Sequence, residues 1–220
     1  MKLTNLFALI VSIGLFTAPT SASIQVYTDR DAFLAAIQPG YYLETFDDLV
    51  LGVLNSPTTF SGSDFNFTAS ATNVLWAGTS GGDTFLTDGL GYPITIGSLS
   101  GPTPVTALGG YFFENDGTGS IFPDAPMTIT ATAGTLSSSW SGPTNSTSFI
   151  GFISGGPAFT QLSFTKHSDY SSYPSTNDFI VGTAAAGNGA VPEATSLAIW
   201  CLLGVALSVV APRRRGRAEV

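Results

Sequence analysis

Carboxylates are the side chains of this sequence with the most chemistry to offer. Glu44, Asp47 and Asp48 crowd the stretch "LETFDD", Glu114, Asp116 and Asp124 fall within "FENDGTGSIFPDAP", and Asp178 opens "DFIVG". Carboxylate oxygens on loops suit calcium, a hard cation that extracellular modules bind weakly. Two carboxylates at the right separation suit glycoside hydrolysis, although nothing in the spacing fixes that separation. Scattered singly, the same groups are ordinary solubilising charges. The second candidate set is aromatic: Trp76 in "NVLWAGTSGGD", Trp140 in "SSSWSGP", and Tyr170 with Tyr173 beside them in the chain's later loops. Such rings can stack on sugars or serve as core and interface anchors, and the sequence leaves both readings open.

Other catalytic chemistry finds little support. The single histidine, His167, stands beside Lys166 in "TKHSDYSSYPS". Asp169 and a serine could complete a triad on paper, but a lone histidine in a Ser/Tyr-rich loop reads first as a surface residue. No nucleophile elbow is expected, and H-E-x-x-H, C-x-x-C and P-loop motifs are absent. The expectation is therefore a protein that is not an enzyme. The only cysteine, Cys201, lies in an apolar run and behaves there as a small apolar residue. Asn66-Phe67-Thr68 and Asn145-Ser146-Thr147 match the glycosylation sequon by chance composition.

Charge is distributed unevenly. Of the seven Lys and Arg residues, four lie in the last eight positions, and between Ile24 and Gly189 only Arg30 and Lys166 are basic. The middle of the chain is acidic and would repel a phosphate backbone, which excludes nucleic acid as a partner.

The elements that must position these residues read as an all-β domain between two targeting segments. Residues 1–23 have a positive start at Lys2, an apolar run from Leu6 to Phe16 and small residues at Ser21, Ala22 and Ser23, the layout of a signal peptide. From residue 24 a short strand precedes a short helix, with Thr28 as its cap and Asp31 three residues on. Phe33, Leu34 and Ile37 form the helix's apolar face, and Pro39-Gly40 stops it. Beyond Ile37 no helical period appears. "DFNFTAS", "APMTITATA" and "FTQLSFTK" alternate with period two, the mark of antiparallel sheet with one wet face. "SFIGFIS" and "DFIVG" are denser and read as central strands, and Asp88-Gly89, Asp116-Gly117 and Ser141-Gly142-Pro143 read as turns. The expected fold for residues 24–183 is an antiparallel two-sheet β-sandwich of jelly-roll type.

The C-terminus is built in three parts. An Ala/Gly tether at 184–193 ends in Val191-Pro192-Glu193. Residues 194–211 carry no charge and would make about 27 Å of helix, enough for one thin membrane span. A basic tail at 212–220 follows, with Arg213, Arg214, Arg215 and Arg217, which keeps that end cytoplasmic and the acidic domain outside. This arrangement resembles the PEP-CTERM sorting signal of Gram-negative bacteria, with Ala194 where the second proline usually stands. The resemblance implies an exosortase-type membrane enzyme as partner and transient anchoring in the inner membrane by the C-terminal helix. It implies release to the cell surface or an extracellular matrix of polysaccharide, as in biofilms.

The order of pieces from "VYTDRDAFLAAI" through "LETFDD", "VTALGGYFF" and "FIGFIS" to "NDFIVGTA" resembles the lectin-like, carbohydrate-binding-module-like ectodomains found ahead of such tails. That resemblance implies a non-catalytic glycan-binding or structural role, with Trp76 and Trp140 as candidate ligand-binding residues. It further implies a structural calcium ion held by Glu44 and Asp178. The competing expectation is a secreted glycan hydrolase working through acidic residues.

Overall fold

The computed structural model describes residues 22–167 and 171–186. The expected signal peptide, the Pro192-Glu193 motif, the apolar run at 194–211, the arginine tail, Cys201 and Tyr170 lie outside them, residues 22 and 23 apart. No helix among the described residues is long and apolar enough to cross a membrane.

The described residues form fourteen strands and one short helix. In order these are β1 (Ile24–Tyr27), α1 (Arg30–Ala35), β2 (Tyr42–Glu44), β3 (Gly52–Leu54), β4 (Thr58–Gly62), β5 (Phe65–Ala71), β6 (Leu75–Ser80) and β7 (Asp83–Asp88). Then follow β8 (Ile94–Ser100), β9 (Ala107–Asn115), β10 (Ala125–Ala133), β11 (Leu136–Thr144), β12 (Phe149–Ser154), β13 (Phe159–Lys166) and β14 (Tyr173–Gly182). They pair into two antiparallel sheets. The first has eight strands in the order β1-β12-β9-β14-β7-β6-β3, with β2 also on β14, and the second has six in the order β11-β10-β13-β8-β5-β4.

The two sheets bury a common core, as the alternation demands. Phe65, Phe67 and Ala69 point inward from β5, Met127, Ile129 and Ala131 from β10, and Leu162 and Phe164 from β13. They meet Leu108 and Phe112 of β9, Phe152 of β12 and Phe179 of β14. Phenylalanine rings knit the layer: Phe60 stacks on Phe67 at 5.0 Å between centroids, Phe67 meets Phe179 at 5.1 Å, and Phe112 meets Phe164 at 5.1 Å edge-on. The expected β-sandwich is the fold observed.

The dense strands are dense because the eight-stranded sheet is covered on both faces. On its outer side Phe33 of α1 and Ile37, which lies past the helix's C-cap in a bridge to Ala184 and not on the helix as expected, cover Ala107, Phe149, Ile153 and Ile180, a second cluster separate from the main core. β12 is consequently buried at every position. Its Gly151 makes room for the helix, since a Cβ there would stand 2.5 Å from the Phe33 ring. The cap of α1 is Asp29 rather than the expected Thr28. Asp29 accepts a 2.7 Å hydrogen bond from the Ala32 N–H, and Asp31 is the acid of the first turn. Asp29 prevails because its short carboxylate reaches that N–H from an extended backbone.

A further correction concerns Ser141-Gly142-Pro143, which was expected to be a turn and is the middle of β11. Pro143 is tolerated there because β11 is the free edge of its sheet.

Candidate functional site

The outer face of the eight-stranded sheet is open where α1 does not reach. The register places a row of side chains across it: Phe113 of β9, Ser175 of β14, Thr87 of β7, Trp76 of β6 and Val53 of β3. One step toward the sheet's end lies the Asn115–Tyr173 pair. A cavity of about 340 Å³ stands over this region, with Trp76, Phe85, Thr87, Asn115, Tyr173 and the 116–119 loop in its lining.

The loop is fixed over the sheet by its own hydrogen bonds. Asp116 Oδ1 accepts from the Thr118 N–H at 2.8 Å, the Thr118 hydroxyl at 2.7 Å and the Ser120 N–H at 2.9 Å. The Thr118 hydroxyl, with the Ser120 and Thr118 N–H groups, holds the Asp116 carboxyl below the usual range, so it stays ionised. Gly119 closes the loop against β6 with φ +87, where a Cβ would stand 2.4 Å from the Thr79 carbonyl oxygen. Only glycine combines that backbone with that approach.

The floor is polar and preorganised. Asn115 Nδ2 donates to Thr87 Oγ1 at 3.0 Å, to the Tyr173 carbonyl at 3.3 Å and to Ser175 Oγ. Ser175 Oγ in turn donates to Thr87 Oγ1 at 3.0 Å. Asp88, also in the lining, anchors the next turn: its Oδ2 accepts from the N–H groups of Leu90 and Tyr92 at 2.8 and 2.6 Å. Its Oδ1 is buried and has no hydrogen-bond partner among the described residues. The rim is apolar. Trp76 is 41% exposed, and the neighbouring Leu51 and Val53 are 55% and 66% exposed. An exposed indole beside hydroxyl, amide and carboxylate groups can stack on the C–H face of a sugar while its hydroxyls find polar partners.

The other candidates are placed differently. Trp140 stands opposite Ile129, half-buried against the main core, and Gly142 leaves space for its ring. Of its two open readings, the core position is the one observed. Glu44 faces the space between the sheets. Its Oε2 accepts from the Tyr42 hydroxyl and its Oε1 from the Phe46 N–H at 2.7 Å. Burial, then this hydrogen bond and the Glu44 charge, push the Tyr42 hydroxyl pKa up.

Asp178 stands where β14 passes from β7 to β2 as a neighbour, at an irregularity in its pairing with β9 and with φ 48. Partial burial raises its carboxyl pKa; Arg30 pulls it down, and Asp47 and Asp83 push it up. Glu44 lies opposite Phe179, which faces the core, and Asp178 is the neighbour of Phe179 along β14, so the two carboxylates do not share a face of the sheet. Among the described residues no group of three or more His, Cys, Asp or Glu side chains is placed to hold a metal.

Glu114 and Asp116 part company in the same way: Glu114 is buried and accepts from the Ser172 hydroxyl, while Asp116 lines the cavity. His167 bonds Thr128 on the six-stranded sheet. The spacing G-x-S-x-G does occur, at Gly78-Thr79-Ser80-Gly81-Gly82, contrary to the expectation that no such motif would be found. It is a hairpin turn between β6 and β7, with Gly81 and Gly82 at positive φ, so Ser80 is not on a strand-to-helix elbow.

Sequence reading passed over Asn115, Thr87, Ser175 and Leu51, which are polar or apolar residues of ordinary type. Only the register brings them beside Trp76. The one local signal was the Asp116-Gly117-Thr118-Gly119 turn, read as punctuation and not as a wall.

No family model matches the chain, and no curated protein matches it. Among solved structures it is similar to a mutant of a family 29 carbohydrate-binding module, at 10% identity and a TM-score of 0.33, covering 66% of this chain and 99% of that one. A likeness at that level carries no argument about the site.

Proposed function

We propose that this protein is a non-catalytic carbohydrate-binding β-sandwich that takes a sugar in the Trp76 cavity. The observation that carries the reading is the exposed indole at the mouth of a fixed cavity, with Tyr173, Asn115 and two carboxylate residues in the same lining. The apolar rim at Leu51 and Val53 lets a longer chain continue over the edge of the sheet. Binding to a panel of immobilised neutral and acidic polysaccharides, without release of reducing ends, is the expected result. A panel with no binder would overturn the reading.

The hydrolase alternative has one observation in its favour, since Asp88 and Asp116 line the same cavity. Hydrolysis needs one carboxyl protonated as general acid. Asp116 Oδ1 is taken up by donors of its own loop and Asp88 Oδ2 by the N–H groups of Leu90 and Tyr92, so both carboxylates hold backbone in place, which supports the binding reading instead. Release of reducing sugar that is lost in Asp88→Asn would reverse this choice.

Destination belongs to the same proposal. The protein is exported by residues 1–23 and sorted through Val191-Pro192-Glu193 and the arginine tail by an exosortase-type enzyme. It reaches the cell surface or matrix as a jelly-roll module of the PEP-CTERM class. Mass spectrometry of the surface protein should find chains lacking Arg213, Arg214 and Arg215. Chains retaining them would mark a simple anchor.

A further inference from the structure

Resting on the carbohydrate reading above, we infer that the cavity selects uncharged sugars and rejects acidic ones. Among the described residues its lining contains no lysine, arginine or histidine, and it contains Asp88 and Asp116. Cations that could compensate are scarce: among residues 22–186 the only Lys and Arg residues are Arg30 and Lys166. Arg30 is close enough to Asp178 to lower its carboxyl pKa, alongside Asp47 and Asp83. Lys166 approaches the turn at Gly91, which is not part of the lining. A uronate, sulfate or phosphate group entering the cavity therefore meets Asp88 and Asp116 in its lining and, among the described residues, no cation there.

The same carboxylates are not presented for pairing with a cationic sugar. Asp116 Oδ1 takes three donors from its own loop. Asp88 Oδ2 takes two backbone N–H groups, and its Oδ1 is buried. They set the sign of the field and leave recognition to the indole, the Tyr173 ring and the neutral hydroxyls and amide. Repulsion of a unit charge a few ångströms away in such a half-open site is worth about fivefold or more in affinity at low salt, and salt screens it.

The test uses the full-length chain in mild detergent. Probes are hexasaccharides of β-linked glucose, xylose and mannose, of galacturonate and mannuronate, and of glucosamine, each titrated at low and high salt. The expected result is that a neutral hexamer binds, with both uronates at least about fivefold weaker at low salt and the gap narrowing at high salt. Asp116→Asn, which keeps the Oδ1 acceptor and removes the charge, should narrow the gap at low salt. A uronate binding as tightly as the best neutral hexamer overturns the inference while leaving a sugar site. So does a glucosamine hexamer binding more tightly than every neutral one. Failure of all probes overturns the carbohydrate reading itself, and the inference with it. The salt comparison on the unaltered chain decides the matter even where Asp116→Asn does not fold.

Discussion

The two outer faces of the sandwich solve the same problem in opposite ways. On the six-stranded sheet the outward positions are small and hydroxylated. Thr128 meets Ser141 at 2.5 Å between hydroxyls and Thr130 meets Ser139 at 2.8 Å, while Ser163 and Thr165 continue the rows on β13. On the eight-stranded sheet many outward positions are large: Phe149 and Ile180 lie under α1, and Phe85, Phe113 and Trp76 surround the polar floor at Thr87 and Ser175. A face of short hydroxyls satisfies itself and leaves nothing to bury. A face of rings must be covered, and the cover stops short of Trp76. The difference teaches where to look for function: the uncovered part of the covered face.

The largest effect is expected where that cover is anchored. Phe33→Ala removes a fully buried ring that meets Phe149 at 5.2 Å and Tyr27 at 5.9 Å, and should cost about 3–5 kcal/mol by chemical denaturation. Loss near zero would mean that α1 is ornamental. Next comes Gly151→Ala, which drives a methyl into the same ring and should cost about 1–3 kcal/mol. On the hydroxyl face, Thr130→Val breaks one rung of an exposed ladder and should change stability by less than about 1 kcal/mol. A cost equal to that of Phe33→Ala would erase the contrast between the faces.

A smaller effect is tied to pH. Because Asp178 has its carboxyl raised by burial and by Asp47 and Asp83, its ionised form is penalised in the folded state. The stability it contributes is present at low pH and is lost as pH rises through its folded pKa. Asp178→Asn should therefore raise the melting temperature slightly at neutral pH, and the gain should disappear at acidic pH. A gain that grows on acidification would reverse the assignment. Calcium can be checked on the same instrument: superimposable melting curves with calcium and with chelator would remove the ion from Glu44 and Asp178, and a rise that is lost in Asp178→Asn and in Glu44→Gln would place it there.

Much of this architecture was legible in the sequence because period-two alternation survives wherever one face is wet. β5, β10 and β13 were readable for that reason, and β12 and β14 betrayed their double burial by losing the alternation. Trp140 was left open between ligand and core because Gly142-Pro143 looked like a turn; an edge strand permits that pair, and strand order is not written locally. Trp76 could be named as a candidate, but its cavity could not. Asn115, Tyr173, Thr87 and Leu51 come from β9, β14, β7 and the loop before β3, and only long-range pairing assembles them. The Glu44–Asp178 expectation came from the resemblance to carbohydrate-binding-module-like ectodomains. The strands that carry them, β2 and β14, do pair, Glu44 opposite Phe179, but alternation along β14 turns Phe179 toward the core with Glu44 and leaves Asp178 among Arg30, Asp47 and Asp83.

The central claim is that Trp76 is the platform of a sugar site and not a misplaced core residue. Isothermal titration of the best-binding neutral hexasaccharide into the unaltered chain and into Trp76→Ala tests it most directly, with melting temperature recorded on both. The account predicts at least about a tenfold loss of affinity, the scale on which a central aromatic anchor contributes to binding, with melting temperature almost unchanged. Equal affinity in the two chains would contradict it.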